Sequence, residues 1–156
     1  MKKTLLFLTS LAVMATACTG GKSENNASQT AQVLQTEEVQ PELHKERVEV
    51  LYFHGKKRCV TCNAIEQLTK EVIENDFADE VAGGSLVFKV IDISDSANEA
   101  IADRYEVTWS SLFVNKWSND EETRGDMTDF GFSYAKSSPD QFREGLKEKI
   151  QTLLND

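Results

Sequence analysis

Val48-Glu49-Val50-Leu51-Tyr52-Phe53-His54-Gly55-Lys56-Lys57-Arg58-Cys59-Val60-Thr61-Cys62 is the stretch on which the fold turns. Val48 to Phe53 is dense in β-branched and aromatic residues, which predicts a buried strand. Gly55 and the basic run Lys56-Lys57-Arg58 break it. From Val60 to Asp76 the residues Ile65, Leu68 and Val72 recur at helical spacing, so a helix follows. Cys59-Val60-Thr61-Cys62 therefore falls where a strand hands over to a helix. Cys59 is expected at the helix N-terminus, where unpaired N–H groups and the macrodipole stabilise a thiolate. Arg58, with Lys56 and Lys57, adds positive charge beside it. Cys62, one turn on, can reach back and resolve a mixed disulfide.

Downstream, Ala82-Gly83-Gly84-Ser85 predicts a turn and Leu86 to Ile93 a second strand. Ser96 to Tyr105 predicts a short helix, with Ala97, Ile101 and Tyr105 on one side. Ser111 to Trp117 predicts a third strand. Ser118-Asn119-Asp120 predicts a hairpin turn into a weaker strand near Glu122 to Asp126. Residues 127–137 receive no element. The last helix is announced by Ser138 as N-cap, Pro139 at the first helical position and Gln141 two further on, a capping-box pattern. Phe142, Leu146, Ile150 and Leu153 form its apolar stripe. The order is βαβ, then α, then ββα. It predicts an α/β domain with a central four-stranded mixed sheet flanked by helices on both faces.

A Cys-x-x-Cys spacing alone is shared by zinc sites and redox motifs. Structural zinc takes four ligands, and His44 and His54 are the chain's two histidines, so a closed zinc site is not expected. A permanent bridge over so short a loop would stabilise little. His54 has three readings. It is a packed histidine, a redox helper that accepts a proton from Cys62 or holds a thiolate as an ion pair, or the third ligand of a Cu(I) site with Cys59 and Cys62, since thiolates favour that ion. At a strand–helix junction the pair resembles the thioredoxin-like superfamily across about residues 46–154. More closely, Tyr52-Phe53-His54-Gly55, Arg58-Cys59-Val60-Thr61-Cys62 and Ile65-Glu66 are similar to a small family labelled nitrophenyl-compound nitroreductase subunit. The resemblance implies a thioredoxin-like βαβ-α-ββα fold and dithiol chemistry, with Cys59 as nucleophile and Cys62 as resolving thiol. Departures from ordinary thioredoxins accompany it. The Trp before the first cysteine is Arg58, and the Gly-Pro between the cysteines is Val60-Thr61. The buried Asp would fall near Phe53. The cis-proline of the substrate-facing loop would fall at Ser110 or Ser111, where a trans bond is expected because a non-proline cis bond costs about 2.5–4 kcal/mol. Trp109 and Trp117 flank the third strand and offer a substrate surface or, more commonly, rim packing.

The N-terminal part reads as an address. Lys2 and Lys3 precede an apolar stretch from Thr4 to Ala17 that is shorter than the roughly 20 residues a bilayer span needs. Ala15-Thr16-Ala17-Cys18 resembles a bacterial lipobox, with Ala15 where Leu is commoner. The expected organisation is a lipoprotein signal peptide over 1–17, a lipid-anchored linker over 18–45 rich in Ser, Thr, Asn, Gln and Glu, and a folded domain over 46–156. Lipidation of Cys18 places the chain on a membrane of the cell envelope, facing the periplasm or exterior.

Charge limits the partners. Seventeen basic side chains stand against 26 acidic ones, a net −9. Loss of Lys2 and Lys3 with residues 1–17 leaves 15 against 26, or −11. That excludes an ordinary nucleic-acid binder. The runs Glu71 to Glu80 and Asp120-Glu121-Glu122 read as solvated faces. No glycine-rich nucleotide loop or nucleophilic triad is present, and nothing would hold a flavin, so no cofactor is expected. The expected partners are disulfides or dithiols of envelope proteins, or a redox partner to which a non-catalytic subunit passes electrons or copper.

Overall fold

The structure, a computed structural model, describes residues 45–156. Cys18, the signal and the linker up to residue 44 lie outside the described residues. The first strand, β1, spans Arg47–His54, and all six of its inner residues are buried. Side chains alternate across a strand, so this run, apolar but for Glu49, supplies both faces. Val48, Val50 and Tyr52 enter one core, and Leu51 and Phe53 enter the other.

Helix α1 (Val60–Asp76) covers the first face with Ile65, Leu68, Val72 and Ile73. A short helix α2 (Ala78–Gly83) leads into strand β2 (Leu86–Asp92). A single 3₁₀ turn (Ser96–Asn98) and helix α3 (Glu99–Arg104) cross the second face. Strands β3 (Ser111–Ser118) and β4 (Glu121–Thr123) form a hairpin, and helices α4 (Thr128–Tyr134) and α5 (Pro139–Asn155) return to the first face. Phe142, Leu146 and Ile150 of α5 are wholly buried there. Each such side chain contributes about 1.5–3 kcal/mol by burial.

The strand order is β2-β1-β3-β4. β1 is parallel to β2 and antiparallel to β3, and β3 is antiparallel to β4. This mixed four-stranded sheet between helices, entered by a βαβ unit and closed by ββα, is the thioredoxin-like arrangement. No helix among the described residues is long and apolar enough to cross a membrane.

Several expectations need correction. Ala82 and Gly83 do not turn. They finish α2, and the chain reverses at Gly84, whose φ of 78° is the left-handed cap that glycine adopts freely. The helix expected over Ser96 to Tyr105 is split into the 3₁₀ turn, which the Asp95 carboxylate caps at its start by accepting from the Ala97 amide at 2.9 Å, and α3 from Glu99. Ala97 is exposed, while Ile101, Ala102 and Tyr105 pack inward. Residues 127–137 contain α4. Ser138 does precede α5, but its side chain makes no cap bond, so the expected capping box is not formed. Its backbone amide is instead held by Tyr134 O at 2.8 Å, and its ψ of 70° departs from the extended cap geometry.

Glu74, Asp79, Asp120 and Glu121 of the acidic runs are exposed as expected, while other members are paired across the fold. Glu71 and Asp76 of α1 pair with Arg143 and Lys147 of α5. The Arg143 hydrogen bond holds the Glu71 carboxyl below its usual range. Glu122 is drawn into the protein, as described below.

The hairpin forms as expected. Ser118 pairs with Glu121 across Asn119 and Asp120, whose φ values are 51° and 67°, a two-residue type I′ loop. The weak strand stops at Thr123, because Gly125 then crosses close to β3. Gly125 O accepts from Val114 N at 2.8 Å, and a Cβ on Gly125 would stand 2.5 Å from Val114 O. The Lys149 Cε at 3.3 Å could swing aside, but Val114 O is backbone and cannot rotate away. Gly125→Ala is expected to cost about 1–3 kcal/mol in urea denaturation. A loss under about 0.5 kcal/mol would show that this segment moves freely.

Candidate functional site

The end of β1 and the start of α1 bring the two cysteines together. Cys59 is the N-cap of α1, with φ −78° and ψ 165°. It is joined to Cys62 by a disulfide, with a Cα–Cα separation of 5.0 Å. The Cys62 amide donates to Cys59 Sγ at 3.0 Å. A backbone N–H at a helix start is thus aimed at the sulfur that would become the thiolate. The two sulfurs differ in access. Cys59 is exposed and Cys62 is 7% exposed.

Below them, the buried Tyr52 hydroxyl donates to Cys62 O at 2.7 Å. This anchors the first turn of α1 to the central strand. Phe53, where a thioredoxin carboxylate would stand, is wholly buried against Tyr105 and Phe113, at ring separations of 5.2 and 5.9 Å.

Arg58 has partners other than the sulfurs. Its guanidinium donates to Glu66 of α1 and lies 5.9 Å over the Tyr52 ring. Its charge is therefore compensated locally. Lys57 is the basic residue that lines the groove holding both cysteines.

His54 ends β1, with Nδ1 3.2 Å from Gly55 O and 4.0 Å from Asp92 Oδ1. Asp92 is its cross-strand partner. The Ser94 hydroxyl and amide first, and the nearby Arg58 guanidinium last, hold the Asp92 carboxyl below its usual range. His54 is not among the groove's lining residues. Among the described residues no three His, Cys, Asp or Glu side chains gather as a metal site, the His54, Cys59 and Cys62 trio included.

The groove has a volume of about 510 Å³. Gly55, Lys57, Cys59 and Cys62 form one side, and Thr108, Trp109, Ser110 and Phe132 form the other. Ser110 and Ser111 are both buried, but Ser111 begins β3 and stays out of the groove. The described residues contain no cis peptide bond, so the loop before β3 is trans as expected. Trp109 is stacked on Phe132 of α4, with ring centroids 5.2 Å apart and planes 20° apart. Trp117, by contrast, lies under Arg47 and Arg104, at 4.6 and 5.4 Å.

Thus β1, α1 and the loop before β3 bring Cys59, Cys62 and Ser110 together, with Arg58 beside them and His54 to one side. Sequence reasoning missed Phe132, which lies in a segment without periodicity. It also missed Lys57 as the groove's basic residue, and Asp92.

A separate hollow of about 450 Å³ is lined by Ser94, Asp95, Ser96, Glu99 and Asp103, among others, and contains no thiol.

No protein-family model matches the chain, and no curated protein matches it. Several solved structures are similar. One is described as the structure of a malarial protein, with 21% identity over 67% of this chain and 97% of that chain, at a TM-score of 0.39. Another is a solution structure of a thioredoxin from Thermus thermophilus, with 16% identity over 64% of this chain and 73% of that chain, also at 0.39. The fold assignment rests on strand order and direction, which give an α/β, four-stranded mixed sheet of thioredoxin-like topology.

Proposed function

We propose that this chain is a thiol–disulfide oxidoreductase tethered to a bacterial envelope membrane by lipidated Cys18. The observation that carries the redox reading is the asymmetric pair. An exposed Cys59 Sγ sits at a helix N-terminus and is bonded to a buried Cys62. Exchange needs one accessible sulfur with a stabilised thiolate and one protected sulfur that reaches only the first.

In the reducing direction, the Cys59 thiolate attacks one sulfur of a partner disulfide. A mixed disulfide forms, and the partner's other sulfur leaves as a thiolate and takes up a proton. Cys62 then gives up its proton and attacks Cys59 Sγ. The Cys59–Cys62 disulfide forms, and the second partner thiolate leaves and is protonated. Two electrons pass to the partner, and the oxidising direction is the reverse. Val60-Thr61 between the cysteines and the Tyr52 to Glu66 motif support a place beside the nitrophenyl-compound nitroreductase subunit family.

The test is a redox titration with thiol alkylation, joined to trapping by the Cys62→Ser variant. A mixed disulfide through Cys59 supports the reading. A pair that stays oxidised at every accessible potential, with no trapped partner, refutes it.

The envelope address rests on Lys2, Lys3, the apolar stretch and Ala15-Thr16-Ala17-Cys18. Mass measurement of the membrane-extracted protein is expected to show residues 1–17 removed and an acylated Cys18. An unmodified thiol at Cys18 would overturn the anchor.

A further inference from the structure

We propose that the Trp109–Phe132 stack is a specificity plate. It receives a planar apolar side chain that neighbours the reactive cysteine of a polypeptide partner. The inference rests on the exchange chemistry proposed above and names the substrate class for that same site.

Four large apolar side chains stand exposed among the described residues, and two of them border the disulfide. Val60, 69% exposed, directly follows Cys59. Trp109, 58% exposed, lines the groove with both cysteines. Trp109 is not loose. It lies nearly parallel on Phe132, which is half-buried and belongs to α4. The two residues after Trp109, Ser110 and Ser111, are both buried and fix its loop against the start of β3. An exposed indole held flat by a second ring presents one large open face beside a reactive sulfur. Such faces favour stacked or edge-on contact with another ring. Preorganisation removes the ordering cost that a mobile side chain would meet on binding.

Volume and charge define the occupant. About 510 Å³ is room for a cysteine and one or two flanking side chains, not for a folded domain. Among the lining residues Lys57 is the one basic side chain, and no Asp or Glu lines the groove. On a chain of net −9 this makes the groove a local site for an acidic, apolar segment. Neither small aliphatic disulfides nor cysteines flanked by glycine or alanine would use the plate. The occupant is therefore a polypeptide strand carrying an aromatic residue next to its cysteine and a carboxylate close by.

The test uses the reduced protein, freed of reductant, in single turnovers with two short peptide disulfides. One is the symmetric disulfide of Glu-Cys-Trp, and the other that of Glu-Cys-Ala, both with blocked ends. The same protein dithiol is oxidised and the same peptide disulfide reduced in each case, so only the plate contact differs. The Trp peptide is expected to react about tenfold faster, consistent with one well-stacked ring. In Trp109→Ala that ratio is expected to fall to within about twofold. Equal rates for the two peptides in the unaltered protein would overturn the plate and leave the exchange reading standing. A tenfold ratio that survives in Trp109→Ala would also overturn it. If neither peptide is reduced, the exchange reading falls and the plate with it. Trp109 is largely exposed, so its loss does not empty a core, and the peptide comparison needs no variant at all.

Discussion

Cys59→Ser is expected to abolish disulfide exchange, with a rate loss of about 10³-fold or more. Serine cannot form the mixed disulfide, and Cys62, at 7% exposure, cannot take over as the attacking thiol. Cys62→Ser is expected to behave differently. It keeps the exposed nucleophile and loses the group that releases the partner, so it accumulates a mixed disulfide through Cys59.

Alkylation of the reduced protein gives the pH dependence. The α1 N-terminus and the Cys62 amide, 3.0 Å from Cys59 Sγ, favour the thiolate. The rate for Cys59 is therefore expected to rise with a midpoint below the free-cysteine value of about 8.5. Arg58 adds less than a free guanidinium would, because it is paired with Glu66. Equal alkylation of both cysteines, with a midpoint at the free value, would contradict the geometry.

Glu122→Gln is expected to destabilise the domain by about 2–3 kcal/mol near neutral pH. The Glu122 side chain is 6% exposed. One carboxylate oxygen accepts from the Tyr105 hydroxyl and from Asn115 Nδ2, and the other accepts from Arg104 at 2.6 Å and Arg124 at 3.0 Å. Arg124 also lies 4.3 Å over the Tyr105 ring. Burial alone would raise the Glu122 carboxyl, but the Tyr105 and Arg124 hydrogen bonds and the two guanidinium charges outweigh it and hold it low. Burial first, then Glu122 itself, push the Tyr105 phenol well above its ordinary value.

The pH dependence follows from the lowered carboxyl. Its stabilisation is fully present above the unfolded value of about 4.3 and is lost as pH falls through the lower folded value. Glutamine leaves amide hydrogens facing donors and two guanidinium groups without their counter-charge. The gap between wild type and Glu122→Gln in urea denaturation should therefore be widest near neutrality and narrow in acid. A gap under about 0.5 kcal/mol at neutral pH, or one that does not shrink in acid, would show that the network is surface decoration.

Some of this was legible because it is written in neighbouring residues. β1 is announced by an apolar run, largely β-branched and aromatic, interrupted by Glu49 alone, α1 by Ile65, Leu68 and Val72, and α5 by Pro139 and the stripe from Phe142 to Ile150. The hairpin is signalled by Asn119-Asp120, since two adjacent residues at positive φ are what a type I′ loop requires.

Helix α4 was not legible. Its seven residues include Gly131, and a Cβ there would stand 3.2 Å from Ile65. So short a helix is held by the surface it packs on rather than by propensity. Arg58 and Glu66 are eight residues apart, and Arg104 and Glu122 eighteen, so no local pattern joins them.

The sequence by itself determined the α/β order, a buried first strand and the placing of Cys59-Val60-Thr61-Cys62 at a strand–helix junction. Each depends on periodicity or on spacing within one or two turns. Only the tertiary structure decided which sulfur is exposed, which charges near it are already paired, and that Trp109 meets Phe132. Those outcomes depend on where distant segments pack, and burial is a property of the assembled sheet and helices rather than of any stretch of chain.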